Sequence, residues 1–149
     1  MAIDGFLKVP DIAGASARVG HEGEIEVHGV AFAMEAPRDP GGLARVGRVR
    51  FEPVVITKRY DVSSPLLAQA LANNRRFDEV VIAIRRGADD AVTDAVVVTL
   101  TEAVLTRFAL QPATDEAGVL DEQLAFAYGS IAFASEGGPT ITLPASIGR

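Results

Sequence analysis

The sequence predicts a mainly β fold, a compact antiparallel β-barrel or sandwich (two packed sheets), with one short α-helix near residues 64–74. Three observations predict it. Segment after segment alternates apolar and polar residues, as in Glu24-Ile25-Glu26-Val27-His28, the pattern of a strand with one buried face. Clusters of Gly, Pro, Asn and Asp separate these segments. One segment alone, Ser64 to Asn74, carries helix signals at both ends. A helix of roughly 10 residues is marginal by itself in water, so it must dock on the β scaffold.

Ile3 to Val9 alternates and reads as the first strand, followed by the loop Pro10 to Ser16. Ile25 and Val27 face one way; after Gly29 the phase slips, and Val30, Phe32 and Met34 become the apolar set. A phase slip at glycine predicts a bulge or a corner. Glu35 to Gly47 reads as a long loop, with Pro37, Asp39-Pro40-Gly41-Gly42 and scattered arginines, and loops of that length usually serve a purpose. Val49 to Tyr60 reads as a strand, with Pro53 placing it at an edge or a bulge. In the helix, Ser64 is the expected N-cap and Pro65 suits the first turn. Leu67, Ala70, Leu71 and Asn74 share one face, and Asn73-Asn74 can close the helix in a left-handed cap. Glu79 to Arg86 is a strand, and Arg86 to Asp90 a turn. Asp94 to Leu110 is a long strand, with Val96, Val98, Leu100, Val104, Phe108 and Leu110 expected on one face. Leu124, Phe126 and Tyr128 point inward, opposite Ala125, Ala127 and Gly129, and Ile131 and Phe133 restore bulk on the other parity. Thr140 to Leu143 is a short last strand.

The 149 residues suit a single domain, 1–149, with 48% hydrophobic and 23% charged residues. A net charge of −6 disfavours nucleic acid and anionic membranes as partners. With no cysteine, neither disulfides nor thiolate metal sites are expected. The start Met1-Ala2-Ile3-Asp4-Gly5-Phe6 lacks the basic and apolar regions of a secretory signal, and no apolar run is long enough to span a membrane as a helix.

No catalytic, cofactor or metal site is expected. His21 and His28 stand near Glu22, Glu24 and Glu26, and a His/Glu metal cluster or an enzyme using His28 with Glu24 or Glu26 is geometrically conceivable, but a solvated polar face explains them as well. Asp89-Asp90 and Asp94 lack the spacing of a calcium loop. Ser63-Ser64 lacks a nucleophile elbow and reads as capping; Arg75-Arg76 reads as a complement to the helix dipole rather than an anion site. Two features favour assembly instead. One is the Glu35–Gly47 loop, with Arg38, Asp39, Arg45 and Arg48. The other is the small-residue face Ala125, Ala127 and Gly129, with Ala31 and Ala33, which lets another surface approach closely or is covered by the chain itself.

The opening, from Asp4-Gly5-Phe6-Leu7-Lys8-Val9 to Asp11-Ile12-Ala13-Gly14-Ala15-Ser16, resembles that of Hcp, the tube-protein family of type VI secretion systems. Glu24-Ile25-Glu26-Val27 is similar to its next strand, and Thr57-Lys58-Arg59-Tyr60-Asp61-Val62-Ser63-Ser64-Pro65-Leu66-Leu67 resembles its most specific stretch. After the second strand, Val30-Ala31-Phe32-Ala33-Met34 stands where the family often has tryptophans. The resemblance implies a structural protein: a β-barrel assembling as homohexameric rings that stack into a hollow tube. Its implied partners are other copies of itself, a contractile sheath, a spike protein and secreted effectors, with export through the apparatus without a signal peptide. The competing reading is a divergent barrel that binds a partner, or an effector adaptor or chaperone, without polymerising.

Overall fold

The computed structural model of the chain describes residues 3–86 and 93–145. The turn expected at Asp89-Asp90 lies outside the described residues. In chain order the elements are β1 (Asp4–Lys8), β2 (Ile25–Val27), β3 (Gly29–Ala31), β4 (Met34–Glu35), β5 (Arg50–Phe51), β6 (Val54–Arg59), α1 (Ser64–Ala72), β7 (Arg76–Arg85), β8 (Asp94–Pro112), β9 (Leu120–Ala127), β10 (Ser130–Ser135) and β11 (Thr140–Pro144). The fold is mainly β and antiparallel with one short helix, as the alternation predicts.

The strands form one nine-stranded antiparallel sheet and a separate two-stranded ribbon. The bonded path runs β2-β1-β7-β8-β9-β6-β3, with β10 added to β8 and β11 to β10. Its two end strands, β2 and β3, are not paired with each other, so the ladder is not a closed ring. They are consecutive in the chain, however, and His28 joins them by donating its N–H to Thr57 O at 2.9 Å. One continuous segment therefore borders β1 with its first half and β6 with its second. The phase slip predicted at Gly29 is this corner. A Cβ there would sit 3.1 Å from Thr57 Cβ, so glycine lets the two backbones close up.

The inward positions of the strands make one core. Ile25, Ile56, Val80, Ile82, Leu100, Leu124, Phe126 and Ile131 are all fully buried. Each such side chain is worth about 1.5–3 kcal/mol relative to exposure. On β8 the expected single face does not hold. Val98 and Leu100 point inward, but so do Ala103 and Leu105, while Leu110 is exposed. Two local irregularities account for this. Glu102 adopts a left-handed φ of 53°, and the β8–β9 register shifts between Leu105 and Arg107. Each changes which parity faces the core. They coincide with a change of neighbour: Val96 to Thr101 pair with β10, and Val104 onward pairs with β9.

The helix is placed as expected but held differently at its start. Ser63, not Ser64, is the N-cap, and its side chain makes no capping bond. The C-terminal cap is as predicted. Asn74 has φ 51°, and the N–H groups of Asn74 and Arg75 return to Leu71 O and Ala70 O at 3.1 and 2.9 Å, a Schellman motif. Leu67 and Ala70 are buried, Leu71 packs at the core margin, and the helix lies against β8.

The Glu35–Gly47 segment is ordered as a hairpin arm rather than an irregular loop. β4 pairs with β5, matching Met34 to Phe51 and Glu35 to Arg50. Toward the tip, Val46 N donates to Pro37 O at 2.7 Å and Asp39 N to Ala44 O at 3.2 Å. The strand predicted over Val49 to Tyr60 is broken at Glu52-Pro53 into β5 and β6. Pro53 supplies no N–H there, and the ribbon leaves the main sheet at that point.

Candidate functional site

The arm carries most of the expected contact residues. Arg38 and Arg45 face each other across its tip in an isolated bridge, and Arg38 Nη1 donates to Leu43 O at 3.0 Å. Asp39 accepts the Gly42 N–H in the tip turn at 3.0 Å through its backbone carbonyl. Arg48 is exposed beyond it. Leu43 is 95% exposed, and Met34 and Val46 are also open to solvent. A bare leucine between arginines is surface that its own chain does not use. Among the described residues, Arg50 is the arm's paired arginine, held by Glu35 at 2.8 Å.

The arm is gripped at its root. Tyr128 donates its hydroxyl to Glu52 O at 2.7 Å, and Glu52 N donates to Ala33 O at 3.0 Å. The Phe32 ring lies 6.3 Å from Tyr128 and 5.6 Å from Phe133. Burial, with a smaller contribution from the Glu52 charge, pushes the Tyr128 phenol up from 10.0 to about 12.

The small-residue positions do not form one open face. Ala125 is 5% exposed, set between Val55 and Arg107 in neighbouring strands. Ala127 is half-buried opposite Val104, and Gly129 is exposed where the chain passes from β9 to β10. Ala31 is exposed beside Val55, two strands from Ala127.

A second exposed apolar patch was not singled out by the sequence reading. Tyr60, Val62 and Leu66 are exposed along the passage from β6 into α1, Val62 by 68%, and Tyr60 N is bonded to the O of Leu120, also exposed, at 3.0 Å. Its rim is acidic. Arg59 there is clasped by Asp115 at 2.7 Å and Asp121 at 2.8 Å. The hydrogen bond from Arg59 lowers the Asp115 carboxyl below the usual carboxylate range, and the same bond raises the guanidinium. The signal for this patch was available as Val62 and Leu66, which fall outside the Leu67–Ala70–Leu71 helix face.

The histidines are not brought together. His21 is buried, stacked on Phe6 with ring centroids 4.3 Å apart. Its Nδ1 lies 2.8 Å from Glu24 Oε1 and its Nε2 3.0 Å from Asp94 Oδ1. His28 faces Asp121 at 3.5 Å instead, too far for a good hydrogen bond. The conceivable pairing of His28 with Glu24 is therefore replaced by a His21–Glu24 contact. Among the described residues, no group of three or more His, Asp or Glu side chains is placed to hold a metal ion. His28 lines a cleft of about 370 Å³ with Asp4, Glu26, Arg59, Asp61 and Asp115, and with Gly5, Ala15 and Val27 between them. Arg75, offered as a dipole complement, pairs with Asp11 at 2.7 Å and lies over the Phe77 ring.

Comparison with known proteins agrees with this architecture. A protein-family model described as "Type VI secretion system effector, Hcp" matches residues 6–134. The Major exported protein of Pseudomonas aeruginosa is 39% identical over 72 residues, a match covering 48% of this chain and 42% of that protein, less than half the relative's length. Among solved structures, Hcp1 from Salmonella typhimurium superposes with a TM-score of 0.75 at 23% identity, covering 95% of this chain and 93% of that one. The crystal structure of an Hcp protein superposes with a TM-score of 0.83 at 20% identity, covering 96% and 98%. At those identities the structural likeness speaks for the fold.

Proposed function

This chain belongs to the Hcp family of type VI secretion systems, and we propose that it serves as a structural tube subunit rather than an enzyme. Six copies form a ring, rings stack into a hollow tube, and the tube carries secreted effectors through the apparatus, working with a contractile sheath and a spike protein. The observation that carries this reading is the arm, an ordered hairpin projecting Leu43, Arg38 and Arg45 away from the only core the described residues form. Order without intrachain burial suits a segment that works by touching other copies. In this reading Arg38, Asp39, Arg45 and Arg48 make contacts between copies. Ala127 and Gly129 line a second contact, with Ala125 as its packed floor, and residues 1–149 act as one domain.

The alternative, a barrel that binds a partner or chaperones an effector without polymerising, calls for a concave apolar pocket. Sedimentation of the purified protein at micromolar concentration, followed by electron microscopy, tests the proposal. A ring is expected; a monomer at every concentration, with no rings on the grid, overturns it.

A further inference from the structure

The corner between β6 and α1 holds a buried cation in an unusual setting. Lys58 and Glu122 stand directly opposite each other in the β6–β9 ladder, both on the core side, and both are 0% exposed. The Lys58 ammonium has four oxygens around it. Arg59 O lies at 2.9 Å, and Asp61 Oδ1, Ser64 Oγ and Glu122 Oε2 each at 3.1 Å. An ammonium has three hydrogens, so the cage offers one acceptor more than the lysine can use singly. The second carboxylate oxygen, Glu122 Oε1, is buried with no hydrogen-bond partner.

The cage is itself braced. Ser64 Oγ also accepts the Asp61 N–H at 3.0 Å, and Asp61 Oδ1 also accepts the Ser63 N–H at 2.9 Å and the Ser63 hydroxyl. These bonds fix the oxygens before the ammonium is counted. They also explain why neither serine side chain makes a capping bond, though Ser63 is the N-cap residue: both are turned back to Asp61.

We infer that this corner is an ammonium receptor, built by Lys58's neighbours and filled by Lys58 itself, and that it anchors α1 to the sheet. The oxygens converge on a point rather than presenting a flat edge. A compact ammonium satisfies that geometry, whereas a planar guanidinium fork does not. Asp61, whose side chain is 20% exposed, also lines the 370 Å³ cleft, which places the cage beside solvent with local opening as the way in.

The test removes the tethered cation and offers a free one. Lys58→Met keeps the stem and deletes the charge, and it is expected to lower Tm by roughly 10 °C, since it leaves the carboxylates buried without their partner. About 0.1 M ammonium chloride is then expected to return about 3 °C, for a Kd on the order of 10 mM. Tetramethylammonium chloride at equal ionic strength is expected to return nothing. Equal recovery in the two salts overturns the inference, as does a Lys58→Arg variant as stable as the parent chain. Should Lys58→Met yield no folded protein in any salt, the unaltered chain decides. Lys8 and Lys58 are its two lysines. An amine-acylating reagent is expected to label Lys8 at least about 100-fold faster than Lys58, a ratio set by rare local opening of the cage. Labelling of both at similar rates overturns it.

Discussion

The α1 corner and the β4–β5 arm are two outgrowths of one strand path, and they treat their polar and apolar groups in opposite ways. At the corner, Leu67 is buried and even a lysine is enclosed by oxygens of its own chain. On the arm, backbone hydrogen bonds are made, but Leu43 and Val46 are left to solvent. Backbone order is thus obtained in both places, while side-chain burial is obtained in only one. In the proposed assembly, burial of the arm's bare apolar groups is what a neighbouring copy would supply.

The largest expected effect is at the corner. Leu67→Ala is expected to cost about 2–5 kcal/mol in denaturant unfolding, the range for a buried leucine whose site cannot fully collapse. A cost below about 1 kcal/mol means that α1 is loosely held. At the arm root, Tyr128→Phe removes one hydrogen bond, worth about 1 kcal/mol. It also removes a pH effect whose sign is fixed. The phenol holds its proton more tightly in the folded chain, so its contribution is complete below pH 10 and is lost as pH rises toward about 12. Absorbance titration at alkaline pH is expected to lose its latest phenolate step in the variant.

At the tip, Leu43→Asp is expected to change unfolding free energy by less than about 0.5 kcal/mol. Its effect should appear instead as loss of the largest species in sedimentation. If it lowers stability by more than about 1 kcal/mol, the tip is packed within the chain and the contrast fails. Ala127→Arg sharpens the second proposed contact. The monomer is expected to stay folded by circular dichroism while rings disappear; an unfolded variant would make that face core.

Much of the corner could be read from the sequence because its signals are local. Pro65 near the helix start and Asn73-Asn74 at its end fixed α1 to within two residues, and the alternation through Ile56 gave the inward parity of β6. The cage could not be read, because Glu122 is 64 positions from Lys58 and meets it only through strand pairing. Ser64 is the expected helix cap, a sound local rule that loses to two other local partners, Lys58 and the Asp61 N–H. The arm was legible as a segment but not as a hairpin. Its tip residues Asp39-Pro40-Gly41-Gly42 look like loop, and the pairing of Met34 with Phe51 is not visible in composition. On β8 the parity failed at Glu102, where a glutamate takes a backbone conformation usually left to glycine.

The double change of face along β8 bears on how the gene for such a chain can vary. A strand of uniform alternation can slip by two residues and still present the same side inward. β8 cannot, because its inward set jumps from Leu100 to Ala103 and the left-handed residue must stay between them. Deleting Glu102 alone would leave Ala103 inward, two places after Leu100, but would erase the left-handed step at which β8 changes neighbour from β10 to β9. Length changes should therefore be tolerated in the polar stretch between β8 and β9 and purged from the middle of the strand, so that the point where β10 yields to β9 stays fixed.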